Sequence, residues 1–173
     1  MIEHITPLVL GGIEIHPHSG PIRQRYQAFG GSSELRMASG RGHKQTNWRK
    51  TSTSISATGH LDPALESLDY SRPLELLCVA PRWVGGAVLV YELPAASKRR
   101  PDVEPWAIAR VGAQWLDTSL VLDGDLATVA AIPGARAYRV GWLPRLMVFT
   151  DGPVTDTDDA RELIDWSMEA REV

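Results

Sequence analysis

Residues 39–50, SGRGHKQTNWRK, have the composition of a phosphate-binding loop, with two glycines among several basic residues. Such a loop needs a lysine directly after its last glycine and a Ser or Thr next to that lysine. Here His43 follows Gly42, so Lys44 is out of register. The Thr- and Ser-rich sequence that follows favours a strand over the helix that a phosphate-binding loop requires. This stretch therefore predicts a hairpin.

The other residues that suggest metal binding or catalysis lack partners. His16 and His18 would face the same side of a strand, but no third zinc ligand stands at a suitable spacing. Asp123 and Asp125 flank a glycine, where Asp is expected for backbone reasons. The single cysteine, Cys78, lies in an apolar run without a nucleophile motif. We expect no catalytic, cofactor or metal site, and predict that the protein is not an enzyme.

The bulk composition is that of one globular domain. The chain has 173 residues, of which 43% are hydrophobic and 23% charged, which predicts a single β-rich domain over residues 1–173. It contains no run of eighteen apolar residues, so no membrane partner is expected. Glu3 stands where a secretory signal would carry positive charge, so secretion by that route is not expected either.

Alternating apolar and polar residues, separated by turn signals, predict an all-β fold. The alternation is unbroken over residues 164–171, although a helix over 160–172 stays open as the alternative. Asp123-Gly124 is typical of a type I′ hairpin turn, and Gly85-Gly86 could serve a similar turn. Pro133-Gly134 fits the centre of a type II turn. The pattern predicts a mostly antiparallel β-sandwich or barrel.

Three departures from a regular strand pattern are expected. Asp62 as N-cap and Pro63 at the first helical position predict one short helix near 62–69. The segment near 94–105, with SKRRP in its middle, predicts a long exposed loop. Pro144 within YRVGWLPRLMVF predicts an edge strand or a bulge there, because proline cannot donate to a sheet ladder.

Charge is distributed unevenly along the chain. Residues 21–50 carry seven Lys and Arg against Glu34, whereas residues 151–173 carry eight acids against two arginines. The basic residues fall on a hairpin predicted to project near 33–57. Opposite charges of this kind favour association between copies. The predicted assembly interface comprises Arg36, Arg41, Lys44, Trp48, Arg49, Lys50, Asp156, Asp158 and Asp159.

The same basic hairpin supports an alternative hypothesis, a small β-barrel that binds nucleic acid. Residues 36–50 would contact phosphates, and Trp48 would stack on a base. Trp48 is the only aromatic ring in this stretch, and the remaining tryptophans are spread across the β pattern, where core and interface packing explains them.

The sequence from about Leu35 to Pro81 resembles a small tail protein of long-tailed bacteriophages. The likeness lies in KQTNWRK, TSISATGHLDPALESLDY and RPLELLCVAP, and the later YRVGWLPRLMVF and IDWSMEAREV are similar to the last two strands of such proteins. The resemblance implies a structural subunit of the tail tip or baseplate. Among these, the distal tail proteins usually form hexameric rings that continue the tail tube and attach the hub and fibres.

Several further expectations follow from the resemblance. The partners would be copies of this chain and other tail proteins, namely the tail tube, hub and tape measure. Nucleic acid would be met only as DNA passing through the tail lumen. The protein would be made in the bacterial host cytoplasm and would reside in the virion, at the tail tip.

Overall fold

The computed structural model describes residues 6–173, and within them the chain is all-β and mostly antiparallel, as the sequence predicts. Two single turns of 3-10 helix, Pro17–Ser19 and Ala96–Lys98, interrupt the strands. In chain order the strands are β1 (Val9–Leu10), β2 (Ile13–Glu14), β3 (Arg23–Phe29), β4 (Ser32–Arg36), β5 (Gly42–Thr46), β6 (Lys50–Gly59), β7 (Leu74–Leu77), β8 (Arg82–Gly86), β9 (Val90–Glu92), β10 (Trp106–Val111), β11 (Gln114–Thr118), β12 (Leu120–Asp123), β13 (Leu126–Val129), β14 (Ala135–Trp142), β15 (Arg145–Thr150), β16 (Val154–Asp158) and β17 (Leu163–Glu172).

The described chain divides into two compact units. The eight-stranded unit comprises Val9–Glu75 and Met147–Val173, and the two-sheet unit comprises residues 6–8 and Leu76–Leu146. That residues 1–173 form a single β-rich domain stays a prediction.

The eight-stranded sheet has the order β2-β1-β7-β15-β17-β6-β3, with β16 paired to β17 outside this path. Strand β6 shows why one face is buried: Thr51, Thr53, Ile55 and Ala57 point inward, and the intervening Ser and Thr residues point outward. The alternation in β17 is equally regular, so the strand interpretation of residues 164–171 is confirmed and the helical alternative is wrong.

The two-sheet unit is a sandwich around a small core. Its four-stranded sheet has the order β11-β10-β14-β8, and its three-stranded sheet has the order β12-β13-β9. Tyr91 and Val129 from the smaller sheet share a core with Tyr138, Val140 and Trp142 from the larger one. The Tyr91 hydroxyl donates to the Tyr138 carbonyl at 3.2 Å, and burial raises the pKa of Tyr91.

The short helix predicted near 62–69 is wrong, because the backbone turns in the opposite sense there. Ala64 has a φ of 59°, which a right-handed helix cannot accommodate. Asp62 does accept a hydrogen bond, as a cap would, but from Ala64 N–H at 2.7 Å in a local turn. Leu65 O then accepts from Leu68 N–H and from the Tyr70 hydroxyl, which closes the loop.

Of the three turns predicted, one is confirmed, one is shifted and of another type, and one is absent. Pro133-Gly134 forms a type II turn, with Ala135 N–H bonded to Ile132 O and Gly134 at a φ of 80°. The β12–β13 hairpin exists, but Asp123 pairs with Leu126, so its central residues are Gly124 and Asp125.

In that hairpin only Gly124 has positive φ, as in a type II′ turn, so the predicted type I′ turn is wrong. The glycine pair Gly85-Gly86 lies within β8, opposite Arg139 and Tyr138 of β14, and makes no turn. The strand predicted through Pro144 is two strands, since β14 ends at Trp142 and β15 begins at Arg145.

The loop at 94–105 is not exposed throughout, contrary to prediction, because its two arginines are buried. The Arg100 side chain is 1% exposed, and Asp102 binds its Nε and Nη2 at 2.7 and 2.9 Å. Its Nη1 donates to the carbonyl oxygens of Pro7 and Cys78 at 2.7 and 3.1 Å. These bonds compensate the cation for its lost hydration. Hydrogen bonding to Arg100 lowers the pKa of Asp102.

Candidate functional site: the charged ends of the eight-stranded unit

Strands β4 and β5 form the basic hairpin of the eight-stranded unit. Arg36 pairs with Gly42 and Glu34 pairs with Lys44, and residues 37–41 make the connection. Gly40, at a φ of 80°, donates its N–H to Met37 O at 2.8 Å. The predicted projection near 33–57 is thus shorter than expected, because β6 from Lys50 onward belongs to the main sheet.

No residue from 32 to 46 is buried. Leu35 and Met37 remain 59% and 60% exposed, so the hairpin has no apolar core of its own. Isolated two-stranded hairpins are at best marginally stable in water. A partner surface would therefore stabilise this segment more than most others in the molecule.

Cations dominate the hairpin and the residues that follow it. Arg36, Arg41, Lys44 and Arg49 are all exposed, and none forms an ion pair with another residue in 6–173. Glu34 is the one acid between residues 32 and 50. The four cations make the hairpin end a positive surface, called the basic end below.

Trp48 lies at the base of the hairpin. Its ring meets Phe29 edge to face, with centroids 5.5 Å apart and planes at 84°. Lys44 and Arg49 line the same open cleft of about 310 Å³. The structure thus brings together three of the predicted residues, Lys44, Trp48 and Arg49, around one partly aromatic and cationic cleft.

Lys50 does not belong to this surface. It is the first residue of β6, is only partly exposed, and donates from Nζ to the carbonyl oxygen of Val173. The sequence groups Lys50 with the hairpin cations because it does not show that the main sheet begins again at this residue.

The predicted acids lie around strand β16. All five residues of β16 are exposed, and within the described part of the chain the strand is paired on one side only, with β17. Asp156 lies opposite Asp165, and Asp158 pairs loosely with Arg161, with Nε and Oδ2 3.5 Å apart. Like charges opposite one another in a sheet are unfavourable. The acidic end comprises Asp156, Asp158, Asp159, Glu162 and Asp165.

The sheet register places these two charged surfaces far apart. The first residue of β6, Lys50, pairs with Phe29 next to the hairpin, whereas its last residue, Gly59, pairs with Ile164 next to the acids. Ten extended residues span about 30 Å. The basic end and the acidic end therefore lie at opposite ends of one sheet and cannot neutralise each other within a chain.

The sequence prediction missed a second exposed surface, in the two-sheet unit. Trp83 and Trp115, interpreted as packing residues, are 41% and 37% exposed. They line one groove together with Arg110 and Arg139. One signal in the sequence could have indicated this exposure. Trp115 and Asp117 are two residues apart on β11, so the tryptophan shares a strand face with a charged residue.

Within residues 6–173 no three His, Cys, Asp or Glu side chains come together as a metal ion requires. The same residues include no helix that is long and apolar enough to span a membrane. No protein-family model matches this chain, and neither a curated protein nor a solved structure matches it.

Proposed function

We propose that the protein is a structural subunit of a bacteriophage tail tip or baseplate, without enzymatic activity. In this role it forms a ring with copies of itself in the virion, after synthesis in the bacterial host cytoplasm. The ring joins the tail tube to hub or fibre proteins. The observation that carries the proposal is the placement of opposite net charges at the two ends of one sheet.

A ring requires a heterologous contact, in which two different surfaces of each copy complement one another. The basic end offers four exposed cations and the acidic end five carboxylates, with Arg161 as the one base among them. Because they lie about 30 Å apart, one copy can contact two neighbours at once. Attraction between such surfaces also orients the subunits as they meet.

Backbone groups add to this complementarity. Within residues 6–173 strand β16 has one unpaired edge, and β3 ends the main sheet on the other side. Unpaired edges accept strands from other chains. Strands β4, β5 and β16 are each five residues long, so a hairpin arm from one copy could pair with β16 of the next along its whole length.

The test is multi-angle light scattering on the purified protein at about 0.05 M and about 1 M salt. We expect a discrete oligomer of about six copies at low salt, weakened at high salt, since 1 M salt reduces the screening length to about 3 Å. A monomer at every concentration and salt would contradict self-assembly. Labelled DNA in a parallel run tests the alternative. DNA that elutes with a monomeric protein, and no longer does so when the hairpin cations are neutralised, would favour the nucleic-acid module.

Two neutralised variants assign the surfaces. The hairpin variant is Arg36→Gln, Arg41→Gln and Lys44→Gln, and the acid-end variant is Asp156→Asn, Asp158→Asn and Asp159→Asn. Each should be monomeric at low salt. The matched control, Arg72→Gln, Lys98→Gln and Arg136→Gln, removes three exposed cations elsewhere and should assemble normally. All these side chains are exposed, so stability should change by no more than about 0.5 kcal/mol per site.

A further inference from the structure

The outer face of the four-stranded sheet carries an open groove of about 430 Å³. Trp83 stands on edge strand β8 and Trp115 on the opposite edge strand β11. Arg139 on β14 and Arg110 on β10 lie between them, and Arg110 pairs with Trp115. Two exposed indoles thus flank two arginines across a single sheet.

Glycines beside the tryptophan rings leave the backbone of the sheet uncovered by side chains. A Cβ at Gly141 would lie 2.8 Å from the Trp83 and Trp106 rings, and one at Gly85 would lie 2.9 Å from Arg139 Cγ. Because neither Cβ exists, Trp83 can lie over β14, where it meets Trp106 edge to face at 5.4 Å and 86°. The groove is therefore floored by backbone and walled by aromatic side chains.

The charge of the groove is positive. Arg110 and Arg139 are exposed, and neither forms an ion pair within residues 6–173. None of the residues lining the groove is acidic, and Asp117, on the same face of β11, is not among them. The Arg139 guanidinium lies 4.5 Å from the centroid of the Trp115 ring, so a planar cation is stacked on an indole.

We propose that this groove binds single-stranded nucleic acid. One base stacks on Trp83, a second stacks on the Arg139–Trp115 pair, and Arg110 contacts phosphate. Aromatic platforms within a cationic groove are the common means of holding single strands without sequence preference. The two edge strands are three strand spacings apart, about 14 Å, which separates the platforms enough for different nucleotides. This binding does not depend on the proposed assembly role.

An acidic polysaccharide shares the negative charge but fits less well. A sugar ring packs its C–H groups on the electron-rich face of an indole, and Arg139 covers a face of Trp115. A nucleobase is planar and stacks on guanidinium and indole planes alike. The geometry at Trp115 therefore favours the nucleobase.

The test is fluorescence anisotropy with a labelled oligothymidylate of about twenty nucleotides, titrated with the full chain at several salt concentrations. Trp115→Ala should weaken binding between about 5-fold and about 150-fold. Arg110→Gln should weaken it and reduce the slope of log affinity against log salt by about 0.7. The hairpin variant is the matched control and should bind as tightly as the native protein.

Circular dichroism establishes that each variant is folded. If Trp115→Ala does not fold, two measurements still test the proposal. The first is the affinity of Arg110→Gln, which should fold because Arg110 is exposed. The second is the quenching of tryptophan fluorescence in the native protein by the oligonucleotide. Three results would overturn the proposal: undiminished affinity in Arg110→Gln, loss of binding in the hairpin variant alone, or binding of polygalacturonate without binding of oligothymidylate. The first leaves the assembly role untouched, the second favours the hairpin as the nucleic-acid site, and light scattering without oligonucleotide tests assembly separately.

Discussion

Replacing Arg100 by Met should destabilise the fold more than any exposed substitution. Its guanidinium makes two bonds to Asp102, and Nη1 lies within 3.4 Å of the carbonyl oxygens of Pro7, Leu77 and Cys78. Methionine fills similar volume but donates no hydrogen bond to these three carbonyl groups. Each lost hydrogen bond to a carbonyl costs about 1 kcal/mol, and loss of the ion pair adds about 1 kcal/mol because Asp102 is half exposed. The expected loss is about 4 kcal/mol.

Arg99→Met is the matched control, since Arg99 is also buried and adjacent in sequence. Among residues 6–173 only its Nη2 is bonded, to Gly124 O at 3.1 Å and Asp125 Oδ1 at 2.8 Å, and its buried Nη1 has no partner there. Removing this side chain should cost only about 2 kcal/mol of folding stability. The substitution also removes the buried Nη1, and losing that unpaired polar group offsets part of the cost. Arg100→Lys should fall between the two, since lysine keeps the charge but not the fork.

Urea and thermal unfolding followed by circular dichroism measure these losses. For a chain of this length 1 kcal/mol corresponds to about 2–4 °C, so Arg100→Met should lower Tm by roughly 10 °C. A loss of folding stability below about 1 kcal/mol, or one equal to that of Arg99→Met, would refute the inference that the hydrogen bonds of Arg100 stabilise the fold.

Three more perturbations have defined outcomes. The pKa of Asp102 is lowered in the folded protein, so its ion pair contributes stability at pH values above the unfolded-state pKa of about 3.9. That contribution is lost as the pH falls below this value. Asp102→Asn should therefore make the stability of the protein less dependent on pH in the acid range. Gly59→Ala should cost about 3 kcal/mol in urea unfolding, since its Cβ would lie 2.4 Å from His18 O, and an unchanged midpoint would contradict this. Trp166→Phe should cost about 2 kcal/mol, because Nε1 donates to the buried Ser19 carbonyl at 2.9 Å; a thermal shift under 2 °C would contradict this.

The strand pattern was readable from the sequence where one face is buried. In β17 every second residue enters the core, so alternation favoured a strand there, although the helical alternative stayed open until the pairing of β17 was known. The Asp62-Pro63 signal failed because a side-chain cap stabilises a local turn as well as a helix start, and the positive φ of Ala64 decided between them. Local signals of this kind do not distinguish a cap from a turn.

The buried arginines could not be predicted, because burial of Arg100 depends on carbonyl groups contributed by residues far away in sequence. Opposite charge near the two chain ends was visible in the composition. That these charges lie at opposite ends of one sheet follows only from the pairing of β6 with β3 and β17. The Trp83–Trp115 groove likewise needed strand order, since β8 and β11 are not adjacent in sequence.

Mixing the hairpin variant with the acid-end variant tests head-to-tail assembly most directly. The hairpin variant keeps an intact acidic end, and the acid-end variant keeps an intact basic end, so each mixed pair contains one functional contact. Light scattering of an equimolar mixture at low salt should therefore show a 1:1 dimer that grows no further, while each variant alone stays monomeric. Two variants that remain monomers when mixed, although the native chain assembles, would contradict the pairing of basic end with acidic end.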